Sequence, residues 1–143
     1  MAEDLNIQTG TKQEQYEALI PQIAGLLQGE NNLIANLANI SAALKEQFNW
    51  WWVGFYWIHE DELVLGPFQG PVACTRIKKG RGVCGSAWEK GATIIVDDVE
   101  KFPGHIACSS ASKSEIVVPV FDKGNIVGVL DVDSAHLSDF DEI

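Results

Sequence analysis

The chain has 143 residues, 20 acidic against 10 basic, for a formal net charge of -10, which leaves room for one domain and excludes a large multi-domain machine. That charge has the wrong sign for affinity built on neutralising phosphates, so nucleic acid and anionic membrane are poor partners. No apolar run approaches the roughly 18 residues of a membrane span, and the start Met1-Ala2-Glu3-Asp4 is acidic where a secretory signal is basic, which points to the cytoplasm.

In chain order, the first ten residues are polar and are expected to be flexible. Thr11 and Glu14 then have the spacing of a capping box, and Tyr16, Leu19, Ile20, Ile23, Leu26 and Leu27 follow at amphipathic-helix intervals. Pro21 should kink this helix or set off its first part as a separate turn. A second helix is expected after Asn31, with Leu33, Leu37, Ile40 and Leu44 on one face, ending near Phe48. Strands are expected at Trp50–His59, Leu63–Phe68, Val72–Ile77, Thr93–Val96, Glu115–Phe121 and Ile126–Asp133. Hairpin turns at Glu60–Glu62 and Asp122–Asn125 join the first and last pairs. A short helix fits between Cys84 and Gly91, and Asp97–Ser114 is one long connection of the kind that carries function. The result is an α+β domain with a mostly antiparallel central sheet, helices on one face and loops free to shape a ligand pocket on the other.

Two familiar patterns fail on context. Gly80-Arg81-Gly82-Val83-Cys84-Gly85 matches a dinucleotide fingerprint, but Gly91 cuts the helix short and no βαβ unit follows. Cys84-Gly85-Ser86-Ala87-Trp88 approaches the papain nucleophile signature, yet only 59 residues remain for partners that family places more than a hundred residues downstream. His59, His105 and His136 lie on three segments without metal-ligand spacing, so no metal is expected. His105 stands three residues before Cys108, where an imidazolium would lower a thiol pKa, although an exposed loop histidine is the commoner case.

Alternation in Trp50–Trp57 puts Trp51, Val53, Phe55 and Trp57 on a core face and Trp50, Trp52, Gly54 and Tyr56 on the other. Gly54 then opens a recess walled by Trp52 and Tyr56, or the second face is simply another apolar layer under a helix; both readings stand. Asp131 and Asp133 share a face of the last strand, as a solvated pair or as a seat for an ammonium group. Glu115, near apolar walls, has the makings of a proton donor at neutral pH. The three cysteines, Cys74, Cys84 and Cys108, are odd in number and widely spaced, unlike a disulfide framework or a zinc site. They are either small buried hydrophobes or include an active thiol.

Trp50–Tyr56, Leu65–Gly70, the three cysteines, the Gly80–Gly85 turn, Ser114–Pro119 and Gly128–Ser134, in that order, resemble the free methionine-(R)-sulfoxide reductases, single-domain GAF-fold enzymes. The resemblance runs from about Tyr16 to the last residue and implies one GAF domain over residues 1–143. It implies that Cys108 attacks the sulfoxide sulfur and becomes a sulfenic acid, that Cys74 resolves it as a disulfide, and that Cys84 is auxiliary. A thioredoxin-like dithiol would close the cycle with no cofactor. Trp52 and Tyr56 would pack on the substrate methyl group, while Glu115, Asp131 and Asp133 would bind the sulfoxide oxygen and the ammonium, with Glu115 favoured as acid and Asp133 second.

The sequence stops at Ile143, where family members enter a final helix beside the first one; a truncated chain would explain this, and stability and any homodimer contacts built on the terminal helices depend on whether the natural chain continues. Two rival readings share the fold: a non-catalytic GAF module that binds a metabolite or cyclic nucleotide for signalling, and a cysteine redox sensor.

Overall fold

The computed structural model describes residues 4–105 and 111–143. The capping box forms as the sequence predicts: Glu14 N donates to Thr11 Oγ1 at 3.1 Å and Thr11 N to Glu14 Oε1 at 3.1 Å. Helix α1 runs from Lys12 to Leu27 as one element with Pro21 inside it, so the expected separate first turn is not found. The loss of one backbone donor is tolerated in a helix whose other face is packed. Helix α2, Leu33–Phe48, starts on an Asn32 cap and ends at Asn49 in the left-handed conformation, φ 52°, which asparagine tolerates better than most residues.

Six strands follow: β1 (Trp52–His59), β2 (Glu62–Gln69), β3 (Arg76–Lys78), β4 (Ile94–Val96), β5 (Ser114–Asp122) and β6 (Asn125–Ser134), with helix α3 (Gly82–Lys90) between β3 and β4. They form one antiparallel sheet in the order β3-β2-β1-β6-β5-β4. Both expected hairpins are present. Lys123 and Gly124, at φ 52° and 84°, make the reversal between Asp122 and Asn125, the two left-handed residues that match a hairpin's twist. The third expected strand shrinks to Arg76–Lys78, because the chain before it, including Val72 at 89% exposure, leaves the sheet.

Helices α1 and α2 cover one sheet face, where Leu19, Leu44, Trp50, Val53, Val132 and Phe140 form a core. The opposite face carries a second core, with Trp52, Tyr56 and Val129 from the sheet against Val83, Ala87 and Trp88 from α3. The expected layering therefore holds, with the short third helix on the pocket side. Burying each of these large side chains contributes roughly 1.5–3 kcal/mol. Phe140 meets Trp50 at 5.6 Å between rings, and Lys12 Nζ reaches Asp141 at 3.2 Å, which docks the last residues on α1. Among the described residues no helix is long and apolar enough to cross a membrane.

Two details of β1 differ from the alternation drawn on the sequence. The strand begins only at Trp52, after a bend, so Trp50 packs with Phe48 on the helix side and Trp51 lines the cavity, the reverse of the expected assignment. The space at Gly54 is also not a recess. A Cβ there would stand 2.3 Å from Phe68 Cβ and 2.8 Å from Phe68 Cα, because β2 bulges at Gly66–Pro67 and brings Phe68 opposite Gly54, a place where a strand accommodates proline. Gly54→Ala is expected to cost about 1–3 kcal/mol by overpacking, seen as a Tm lower by several degrees. An unchanged Tm would show that β2 yields freely at the bulge.

Candidate active site

The register of three strands assembles the polar wall of the site. Asp133 lies opposite Trp52 on β1 and opposite Glu115 on β5, while Asp131 lies opposite Gly54 and Val117. Directly paired residues project to the same face with Cβ atoms about 5 Å apart, so Glu115, Asp131 and Asp133 converge. Cys84 in the first turn of α3 completes the group: its Sγ and one oxygen each of Glu115 and Asp131 lie within 4.8 Å of one another. Glu115 and Asp131 are buried, at 5% and 6% exposure, and Asp133 is half-buried and accepts from Ser112 Oγ at 2.7 Å.

Burial dominates the acid chemistry. Removal from water pushes Glu115 well above the ordinary carboxyl range, and the neighbouring Asp131 and Asp133 charges push it further. Asp133 is likewise raised, by burial and then by Asp131. Asp131 is raised by burial, but Glu115, Cys84 and Asp133 lie within hydrogen-bonding reach and favour its ionised form. Three like charges at this distance cannot all persist. Glu115 therefore holds a proton next to an Asp131 carboxylate, the arrangement of a poised acid.

Aromatic rings form the apolar wall. Trp52 stacks on Phe68 at 5.1 Å and on Tyr56 at 6.0 Å between centroids. Both polar tips reach the segment between β2 and β3: Trp52 Nε1 donates to the Pro71 carbonyl at 3.0 Å, and Tyr56 Oη donates to the Cys74 carbonyl at 2.8 Å. Burial first, and then Asp131, raises the Tyr56 pKa, so this hydroxyl stays a donor. A cavity of about 60 Å³ lies between the two walls, with Gly82, Val83, His105 and Ser112 also on its lining.

The cysteines are in different states. Cys74 is disulfide-bonded, whereas Cys84 is a free, buried thiol. Burial, then Asp131 and Glu115, raise the Cys84 pKa well above that of an ordinary thiol, so it is not a thiolate at neutral pH and is a poor nucleophile. Cys108 lies outside the described residues, and the thiol reading placed on it falls there too. His105, notable in the sequence for its distance from Cys108, contributes to the cavity a buried Nδ1 without a hydrogen-bond partner among the described residues. The sequence does not mark Ser112 or the α3 N-terminus as site residues; no periodic pattern marks a loop serine, and the Gly80–Gly85 turn is the one sign that α3 starts beside the pocket.

A family model described as a GAF domain matches residues 35–143. The chain is 72% identical to GAF domain-containing protein A of Dictyostelium discoideum over 144 residues, covering 100% of this chain and 91% of that protein. It is 48% identical over 130 residues to the free methionine-R-sulfoxide reductase of Escherichia coli, covering 90% of this chain and 79% of the relative. Among solved structures, the free methionine-R-sulfoxide reductase from Neisseria meningitidis in complex with its substrate superposes with a TM-score of 0.95 at 56% identity, over 97% of this chain and 84% of that one.

Proposed function

This chain belongs to the GAF-domain family, in the group that includes the free methionine-R-sulfoxide reductases, and we propose that it reduces free methionine-(R)-sulfoxide to methionine with thiols as the electron source. The observation that carries the reading is the buried Glu115 beside Asp131, facing the Trp52–Tyr56 wall across a small cavity, where burial and the neighbouring acidic charges favour its protonated form. An apolar ring wall suits the substrate's methyl group, and a neutral carboxylic acid suits its sulfoxide oxygen. Asp131 and Asp133 suit the ammonium. Helix α3 starts at the cavity with Gly82 and Val83, whose free first-turn N–H groups suit the substrate carboxylate. A methionine sulfoxide inside a polypeptide has neither terminal charge, so this set of groups selects the free amino acid.

In the proposed cycle Cys108 attacks the sulfoxide sulfur as thiolate while Glu115 delivers a proton to the oxygen, with Asp133 as the second candidate. Methionine leaves, and the oxygen stays on Cys108 as a sulfenic acid. Cys74 then attacks the sulfenic sulfur, releasing water and forming the Cys74–Cys108 disulfide; Cys74 being disulfide-bonded supports this role. A thioredoxin-like dithiol reduces that bond by exchange, as suits a cytoplasmic enzyme, and no cofactor is required. Cys84, protonated and buried, is an auxiliary thiol.

The test is incubation of the purified protein with dithiothreitol and racemic free methionine sulfoxide, with each epimer followed by chromatography. Loss of the R form alone, with a peptide-bound sulfoxide untouched, is expected. Both epimers unchanged in the presence of reduced thiols would return the chain to the signalling reading.

A further inference from the structure

We propose that Cys84, Glu115 and Asp131 form a binding site for a zinc-like divalent cation in this cavity, and that the cation inhibits by taking the place of the substrate. The first observation is geometric. One donor atom from each of Cys84, Glu115 and Asp131 falls within 4.8 Å of the others, close to the separation of ligands around a cation bound at roughly 2.0–2.3 Å. The three come from α3, β5 and β6, elements packed on one another, so the cluster is built by the fold and not by a flexible loop.

The second observation points to a ligand. Asp131 is buried to 6% exposure, lines the cavity and has an Oδ1 with no hydrogen-bond partner among the described residues, and the same holds for the buried His105 Nδ1 on this cavity. Unpaired buried acceptors are rare and costly. A protonated neighbour relieves part of that cost, as does a substrate ammonium, and a metal ion does both jobs at once. The donor set decides which ion: a thiolate beside two carboxylates favours zinc and its neighbours over magnesium or calcium, which take oxygen ligands. Coordination replaces the Cys84 S–H bond by sulfur–metal and releases that proton, with any proton held by Glu115, to solvent; no electrons move. Because Asp131 cannot hold a metal and a substrate ammonium together, the inhibition is competitive.

The inhibitory half of this inference rests on the reductase reading, whereas the binding half does not. Cobalt(II) alone is added to the purified protein before any reductant, and the thiolate-to-metal charge-transfer absorption is followed. A band that saturates at one cobalt per chain, is displaced by zinc, disappears in Cys84→Ser and needs at least tenfold more cobalt in Glu115→Gln supports the site. His59→Ala, which removes an exposed imidazole outside the cavity lining, should leave it unchanged. No band, or a band that survives Cys84→Ser, overturns the site. Thermal melts verify that each variant is folded, and if Cys84→Ser is not, Glu115→Gln decides alone. Zinc should raise KM for the sulfoxide with kcat unchanged; a fall in kcat with constant KM overturns the shared-site claim. A cobalt band on a protein that reduces nothing removes only the reductase reading, and normal turnover without a band removes only the metal site.

Discussion

Glu115→Gln is expected to lower kcat/KM for free methionine-(R)-sulfoxide by about 10²–10⁴-fold, the usual worth of a positioned general acid, and to make the folded protein more stable above neutral pH. The two effects have one cause. Glutamine is nearly the same size and its amide can donate to Asp131, so packing and the local hydrogen bond survive, but it has no proton to give to the sulfoxide oxygen. It also removes a group whose ionisation the fold opposes. The wild-type rate should therefore fall on the alkaline side as Glu115 loses its proton, and this limb should be missing from the residual activity of the variant. A variant that keeps both the limb and most of its rate would move the role to Asp133.

The stability side follows from the direction in which folding moves the three carboxyl groups. Glu115, Asp131 and Asp133 all have pKa values raised in the folded protein from ordinary values of 4.5, 3.8 and 3.8. Between those ordinary values and the raised ones, the folded chain holds protons that the unfolded chain has released, so stability falls as pH rises through that window. Below it both states are protonated and the penalty vanishes. A tenfold difference in proton affinity between the folded and unfolded chains is worth about 1.4 kcal/mol, and three groups act together, so Tm should decline from mild acid towards alkaline pH, opposite to the common loss of stability in acid. Glu115→Gln should flatten this slope. Thermal melts across the pH range check it, and a wild-type slope in the variant would show that Glu115 ionises freely.

How much of this site was legible in the sequence depends on how local its causes are. Asp131 and Asp133 were placed on one face by strand periodicity alone, and the turn at Lys123–Gly124 by residue chemistry, because both depend on a few neighbouring residues. The convergence of Glu115 with them depends on pairing between β5 and β6, which no single strand records. The Trp50–Trp57 run was half legible: alternation holds from Trp52 to Tyr56, but the left-handed Asn49 and the bend after it set the phase, so Trp50 and Trp51 exchange faces. Gly54 does mark a close approach, but what approaches is Phe68, which arrives there only through a bulge in a different strand. The Gly80–Gly85 run has its explanation in packing as well: a Cβ on Gly85 would lie 2.4 Å from the Lys78 carbonyl oxygen. Those glycines let α3 start against the preceding turn, and the dinucleotide reading is not needed. The segment before β3 read as a strand because its residues are apolar, but the indole of Trp52 and the hydroxyl of Tyr56 take up two of its carbonyls in place of a strand partner.

That last contact sets up the second large effect, best seen in a single turnover without reductant, starting from reduced protein. Cys108→Ser should form no methionine at all, because the nucleophile is gone. Cys74→Ser should form one methionine per chain and then stop with a persistent sulfenic acid, detectable by a 1,3-dione that traps it, unless Cys84 takes over as the resolving thiol. Tyr56→Phe separates the steps. Its ring still walls the cavity, so the burst of methionine should remain within a few-fold of wild type, but the Cys74 carbonyl loses the donor that fixes it at 2.8 Å. A displacement of about 1 Å in a reacting group costs on the order of 10²-fold in rate, so the sulfenic acid should outlive its wild-type counterpart by about that factor before the disulfide closes. Equal slowing of both steps would mean that Tyr56 serves only the substrate. Disulfide closure at the wild-type rate would mean that Cys74 is positioned by the rest of its segment, which the Trp52 Nε1–Pro71 and Leu65 N–Thr75 hydrogen bonds also tether.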